Sequence, residues 1–388
     1  MSRFLFVVPP LVGHTLPTVA VGQELADRGH QVAWAGHAEI VGSLLPPAAT
    51  LIPVAADFGD QPLTEVHRRR HGLRGVAALR SLWTDFLIPL ADSMVPGVAA
   101  AVDGFGPDVV VVDQQALAGA LVARRCGLPW ATSATTSSEL TNQYALMPRL
   151  GTWVRQCLTD FQNDLGVPDP VDLRFSEHLV LAFTTEALVG SVGDFPGHYV
   201  FVGPSISVRA GAPDFPWGWL RPDRQHVLVS LGTVNREVGR RFFATTVQAV
   251  LPLVDRLQVV LVSPPDLVDS PPDHVLIRDF VPQLDLLPAL HAVVSHAGHN
   301  TVCETLAQGV PLVVAPIRDD QLVVAGQVVD AGAGIRVHFS RVGVTELRDA
   351  ITTVLDDPSY RTAARRVRTS FAVAGGAAAA ADHLEKLT

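Results

Sequence analysis

The segment AVVSHAGHNTVCETLAQGVPLVVA, residues 292–315, reads as strand, helix, strand. Ala292–Ser295 is a short apolar run, Thr301–Gln308 carries helical spacing up to Gly309, and Leu312–Ala315 is apolar again. Near-continuous apolar strands separated by helices belong to a parallel sheet covered on both faces. Toward the N-terminus, the same alternation gives the strand His226–Ser230, the helix Arg240–Val254 and the strands Leu257–Val262 and Val275–Arg278. An earlier series opens with Phe4–Val8, Thr18–Arg28 (ended by Gly29) and Gln31–Ala35. It resumes with Val109–Val112, Ala116–Cys126 (ended by Gly127) and a strand from Pro129 to Thr132. Two such series predict an α/β chain of two Rossmann-like doubly wound domains facing across a cleft. Between them, Gly203–Arg224 carries Pro204, Pro213, Pro216 and Pro222, a density that few regular elements tolerate. The expected division is an N-terminal domain over 1–204, a linker over 205–224 and a second domain over 225–370. A C-terminal helix within 371–388 is expected to pack back on the first domain.

Composition narrows the function. The chain has 388 residues, 48% hydrophobic and 17% charged, with a formal net charge of −9. That is enough apolar material for two cores. An acidic balance argues against nucleic acid and against anionic membrane surfaces, both of which need a basic footprint. The three cysteines, Cys126, Cys157 and Cys303, form neither a paired framework nor a zinc motif, which fits a reducing cytoplasm. Arg3 and the run Phe4–Val8 resemble the start of a signal peptide, but Pro9-Pro10 ends the run and it reads as a buried first strand. No stretch reads as a membrane span. The basic segment His67–His71, with Arg74 beyond it, reads as a solvated loop or, alternatively, an acceptor-side flap.

The densest chemistry lies around the opening segment. Phe280-Val281-Pro282-Gln283 precedes it, Ser295-His296-Ala297-Gly298-His299-Asn300-Thr301 and Glu304 lie within it, and Asp319-Asp320-Gln321 follow. A strand ends, a small Ala-Gly turn follows, and a helix begins near Asn300 or Thr301. Helix N-termini offer N–H groups and the positive end of a dipole, a site suited to a diphosphate. Glu304, placed in the first turn or so of that helix, can accept from ribose hydroxyls. Phe280 offers a flat face for a base, and Asp320-Gln321 form an acid–amide pair for sugar hydroxyls.

A second constellation follows the first strand: Pro9-Pro10-Leu11-Val12-Gly13-His14-Thr15-Leu16-Pro17. It is not GxGxxG, which counts against a nicotinamide or flavin cofactor. Gly13 permits a sharp turn that presents His14, a residue suited to general-base work near neutral pH. Such a base needs an orienting carboxylate. Asp113, at the end of Val109–Val112, supplies one, or alternatively caps the helix that starts at Ala116.

These motifs together resemble the GT-B nucleotide-sugar glycosyltransferases, the superfamily of UDP-glucuronosyl- and UDP-glucosyltransferases that includes the bacterial macrolide-type enzymes. The resemblance covers nearly the whole chain and is strongest over Phe280–Gln321. It implies an acceptor-binding first domain and a donor-binding second one. Phe280 would stack on the nucleobase, Val281 offer backbone groups to its edge, and Gln283 and Glu304 address the ribose. His296 and the N–H groups of Gly298, Asn300 and Thr301 would hold the diphosphate, aided by Ser230 and Thr233 of the Ser230-Leu231-Gly232-Thr233 loop. Asp320 and Gln321 would bind the sugar. His14 would be the catalytic base and Asp113 its partner. Ala297 replaces a frequent glycine, and Val324 stands where many members carry asparagine. Trp83, Phe86 and the loop from Ser133 to Tyr144 are candidate acceptor walls, with a helix packing face the alternative for the two aromatics.

The implied activity is inverting transfer of a sugar from a UDP- or dTDP-sugar to a small-molecule acceptor. No metal and no cofactor are called for, since the nucleotide sugar is a co-substrate. Retaining enzymes of this fold place a second glutamate eight residues beyond the position of Glu304, where this chain has Leu312. A homodimer is compatible with this reading. Two rivals are a nucleotide-sugar epimerase on the same fold and a non-catalytic NDP-sugar-binding partner protein. The Gly13-His14 and Asp113 pair speaks against both.

Overall fold

A computed structural model describes residues 1–56, 58, 63–70, 72–73, 75–141, 144, 147–207, 213–232, 239–268 and 270–388, the side chains of 64, 67, 68 and 70 excepted. The chain divides into two compact units. The first comprises Met1–Thr184, Gly193–Val208 and Ala374–Thr388; the second comprises Thr185–Val192 and Arg209–Val373.

The first unit holds β1 (Arg3–Val7), β2 (Gln31–Gly36), β3 (Thr50–Pro53), β4 (Val109–Asp113), β5 (Trp130–Ala134), β6 (Leu179–Ala182) and β7 (Tyr199–Phe201). They form one sheet in the order β3-β2-β1-β4-β5-β6-β7, and every pairing is parallel. Side chains alternate across it. Leu5, Val7, Val110 and Val112 enter a core with the helices Ile88–Phe105, Leu117–Arg125 and Pro148–Asp164. Phe4, Phe6, Val109 and Val111 enter another with the helix Val12–Asp27 and the C-terminal helix Gly376–Leu384.

The second unit repeats the design with β8 (Gln225–Ser230), β9 (Leu257–Val262), β10 (Val275–Arg278), β11 (Ala292–Ser295), β12 (Leu312–Val314) and β13 (Gly334–Arg336). Its sheet runs β10-β9-β8-β11-β12-β13, again with every pairing parallel. In both sheets the strand order reverses beside the first strand, between β1 and β4 and between β8 and β11. In open α/β sheets, ligands gather outside the carboxyl ends of the strands at this switch point.

Several expectations change. The helix after β1 starts at Val12, not Thr18, with Pro17 inside it. Pro17 falls in the second turn, so the ladder loses one donor there. The basic segment is helical over Leu63–Arg70, with Arg69 paired to Glu65 at 3.2 Å; His71 and Arg74 lie outside the described residues. The proline-rich stretch is not a free linker. Ser205 Oγ donates to the Pro17 carbonyl at 2.6 Å, while Phe215, Trp219 and Leu220 pack on the second unit. The boundary expected at residue 371 falls early, because Phe371 packs with Val367 and Ala364 in the second unit. The helix Pro358–Ala374 ends there, and Gly375, at φ +90°, turns the chain into Gly376–Leu384.

Gly75–Phe105 is one continuous helix of 31 residues with mean hydropathy 1.4, long and apolar enough by composition to cross a membrane. The sequence reading expected no such stretch. Half of its most apolar window is buried, with Trp83, Phe86, Leu87, Leu90, Met94 and Val98 in the core of the first unit. Core packing accounts for its composition.

Candidate active site and donor site

In the first unit, the carboxyl ends of β1 and β4 place two expected residues together. His14 lies in the first turn of the helix Val12–Asp27, and Asp113 is the last residue of β4. His14 Nδ1 is 2.9 Å from Asp113 Oδ1. Gly13 does not supply a left-handed turn; it is helical, and the helix start itself presents the imidazole. Asp113 Oδ1 also accepts the Gln115 N–H at 2.8 Å. Thr135, just past β5, completes the group: its hydroxyl donates to Asp113 Oδ2 at 2.7 Å and lies 2.8 Å from His14 Nδ1. The sequence places Thr135 only within the candidate acceptor loop Ser133–Tyr144, and this contact with His14 and Asp113 was not read. The available signal was the position of Thr135 on the same carboxyl edge as Asp113.

Ser133 is the β5 residue registered against Asp113 and is buried. Its hydroxyl and the Oε1 of Gln114 have no hydrogen-bond partner among the described residues. Beyond them lies a buried ionic group. Arg174 pairs with Glu139 at 3.0 Å and with Asp172 at 2.6 Å, and its guanidinium lies 5.8 Å from the ring centre of Trp83 and 6.0 Å from that of Tyr144. Burial pushes the Glu139 carboxyl above its usual range despite Arg174, and it pushes the Tyr144 phenol up to about 12.

Trp83 and Phe86 are not acceptor walls. Both side chains are within 1% of complete burial in the core, on a π-helical turn over Leu82–Leu87. An indole and a phenyl ring at this spacing bury more apolar area inward than a solvated groove would use. A cavity of about 430 Å³ lies instead between the helix Gly75–Ser81 and the start of Pro148–Asp164; Val76, Arg80, Met147, Leu150 and Trp153 are among its lining.

In the second unit, β8 and β11 end side by side, with Ser230 registered against Ser295. His296 follows β11 and is buried. A Cβ on either Gly232 or Gly298 would come within 2.6 Å of its ring, so two glycines form the slot that holds the imidazole. Gly232 also has φ +72°, a conformation suited to glycine. Burial pushes His296 down to about 4, so near neutral pH the ring is uncharged. It can meet an anion as an N–H donor, not as a cation.

The helix after this turn runs His299–Ala307 with Gly298 at its N-cap. Its ladder opens with the Val302 N–H on the Gly298 carbonyl at 3.0 Å, so the N–H groups of Asn300 and Thr301 lie ahead of the ladder. Glu304 sits in the second turn, not the first, and accepts from Gln283 Nε2 at 2.6 Å. The two residues expected at the ribose are therefore in contact. Phe280 is 56% exposed, while Val281 packs toward Leu286 and Leu287. Asp320 is the N-cap of the helix Gln321–Asp330. Gln321 is buried, and its Oε1 accepts the N–H groups of Ile317 and Arg318 at 2.9 and 3.1 Å, which shapes the preceding turn. Val324 is fully buried with Val302 and Leu306, so this departure from the family pattern is a core residue. Thr233 lies outside the described residues.

Comparison with known proteins settles the family. The chain is 30% identical to 4'-demethylrebeccamycin synthase of Lentzea aerocolonigenes, over all of this chain and 99% of the relative. The chain belongs to the GT-B natural-product glycosyltransferases. Residues 254–387 of the glycosyltransferase match the family model described as erythromycin biosynthesis protein CIII-like, C-terminal domain. The enzyme is also 28% identical to demethyllactenocin mycarosyltransferase of Streptomyces fradiae, over all of this chain and 87% of that one. Its fold matches the crystal structure of CalG4, the calicheamicin glycosyltransferase, with a TM-score of 0.79 at 24% identity, over all of this chain and 98% of the other.

Proposed function

We propose that this glycosyltransferase moves a sugar from a UDP- or dTDP-sugar onto a hydroxyl of a small natural-product acceptor, with inversion at the anomeric carbon. The observation that carries the reading is the His14–Asp113 pair, 2.9 Å apart at the carboxyl edge of β1 and β4. With Nδ1 facing the carboxylate, His14 Nε2 takes the acceptor proton, and Asp113 stabilises the imidazolium that forms. The acceptor oxygen forms its bond to the anomeric carbon as the bond to the diphosphate oxygen breaks. The nucleoside diphosphate leaves with its growing charge held by His296 and the N–H groups of Gly298, Asn300 and Thr301. Gln283 and Glu304 take the ribose, Phe280 the base, and Asp320 and Gln321 the sugar. No metal ion and no cofactor enter this scheme. Cys126, Cys157 and Cys303 form no disulfide, which fits a cytoplasmic setting.

The test is mass-spectrometric turnover of UDP- and dTDP-sugars against phenol, macrolide and sugar acceptors, comparing wild type with His14→Ala. A product heavier by one sugar is expected, with kcat lower by about 10³-fold in the variant, within the range of a lost general base. An isomerised donor without acceptor would favour an epimerase. Tight donor binding without any product would favour a non-catalytic partner.

A further inference from the structure

We infer that Thr135 is a positioning residue that fixes the geometry of the His14–Asp113 pair and the ring nitrogen on which His14 keeps its proton. The inference rests on the proposed base role of His14 and goes beyond it by adding a third member.

The argument starts from proton counting. Three contacts close a ring: His14 Nδ1 to Asp113 Oδ1 at 2.9 Å, Asp113 Oδ2 to Thr135 Oγ1 at 2.7 Å, and Thr135 Oγ1 back to His14 Nδ1 at 2.8 Å. An ionised carboxylate only accepts, and a threonine hydroxyl has one proton to give. That proton goes to Asp113 Oδ2. Toward His14 the hydroxyl can then only accept, so Nδ1 carries hydrogen and shares it between Asp113 and Thr135. The same bond occupies Oδ2 and leaves Oδ1 toward the ring. Without it, the Gln115 N–H, already 2.8 Å from Oδ1, competes for the carboxylate, which is then free to rotate about its own axis.

The fold explains why residue 135 does this. Asp113 is registered against Ser133 across β4 and β5. Residues two apart along a strand share a face, so Thr135 continues the side that carries Ser133 and reaches the carboxylate one step beyond the strand end. Thr135 and Asp113 are both buried, which strengthens hydrogen bonds between them. The helix that carries His14 has no acidic residue in its first turn. From the loop after β5, the buried Glu139 feels the imidazole's charge, and Arg174 pairs with Glu139 from behind at 3.0 Å, with Asp172 beyond. Thr135 is the neutral member that joins base and carboxylate.

Three variants test this: Thr135→Val, which keeps the shape and loses the hydroxyl, Thr135→Ser, which keeps it, and His14→Ala, which assigns the His14 resonance. The readouts are 15N NMR of the histidine rings with pH, without substrate, and the pH dependence of kcat. In wild type the neutral ring is expected to be protonated at Nδ1. In Thr135→Val, loss of one acceptor for the imidazolium lowers the His14 titration point by about one pH unit, the worth of one charge-assisted hydrogen bond. The acid limb of kcat moves the same way and kcat falls roughly tenfold at little change in KM, the scale of lost outer-layer partners of functional histidines. Thr135→Ser is expected to restore the wild-type titration point. A Thr135→Val protein with unchanged His14 tautomer and titration, merely less stable, would overturn the inference. If His14→Ala keeps full turnover while Thr135→Val still moves the His14 titration, the base role fails and the positioning stands.

Discussion

His296 carries a cost that shows in the stability of the second unit. Its folded titration point, about 4, lies below the ordinary value of about 6.5, so the unfolded chain binds the extra proton first as pH falls. Stability from this group is complete above pH 6.5 and is lost as pH drops toward 4. The expected loss is about 3 kcal/mol across that window. Denaturant unfolding at pH 7.5 and 4.5 should show a smaller acid penalty in His296→Gln than in wild type; equal penalties would refute the assignment. Single residues were legible in the sequence where their backbone setting was. His14, Asp113 and His296 each end or follow a strand that periodicity places, so their edge positions could be read directly. Thr135 shares that edge, but its tie to Asp113 depends also on which face of β5 continues past the strand end, which the sequence does not mark. Trp83 and Phe86 misled for a similar reason: an aromatic pair on an apolar helix looks alike whether it lines a groove or fills a core. The left-handed φ of +66° at Ala297 gives the family's frequent glycine there a physical cause, since a Cβ in that conformation costs roughly 1 kcal/mol.

Among elements, β9, β10 and β11 were read to the residue, the first and third central in their sheet and β10 at its edge. The strands β3, β6, β7 and β13, of three or four residues each, were not read, although β10, β11 and β12 are equally short. Two elements lend themselves to test. The turn at Gly232 is expected to reject alanine: the added Cβ would meet the His296 ring at 2.6 Å while holding φ +72°. Gly232→Ala should cost about 2 kcal/mol and weaken nucleotide binding at least tenfold, measured by thermal melting and calorimetric titration. The π-helical turn at Leu82–Leu87 makes the opposite point about Trp83. Trp83→Ala should destabilise the first unit by about 3–5 kcal/mol, the cost of a large core cavity. A variant with unchanged melting and an altered acceptor KM would return Trp83 to the acceptor site.

For the whole molecule, the two doubly wound units followed from counting strand–helix alternations, whereas the path of the chain between them did not. Thr185–Val192 joins the second unit from within the first stretch of sequence, and Ala374–Thr388 returns to the first unit after the second is complete. Neither move leaves a periodic trace. The return is held by Leu384, Ala380 and Ala381 beneath Phe4 and Phe6, and by Arg28, which binds Glu24 at 2.9 Å, Asp382 at 2.6 Å and Glu385 at 2.8 Å. Leu384→Ala should therefore cost the first unit about 2–5 kcal/mol, as a central core leucine does. Hydrogen exchange should show β1 and β2 amides losing protection while β8 and β9 amides keep theirs. The same helix reverses the order of completion during synthesis. β1 leaves the ribosome first, and the helix Val12–Asp27 soon follows, yet the part of the cover for Phe4 and Phe6 that Ala380, Ala381 and Leu384 supply is made only after the entire second unit. At translation rates of about 5–20 residues per second, that sheet face waits on the order of half a minute as a sticky nascent surface. The second unit can close before the first has its full core, which is completed only when the helix Gly376–Leu384 is released.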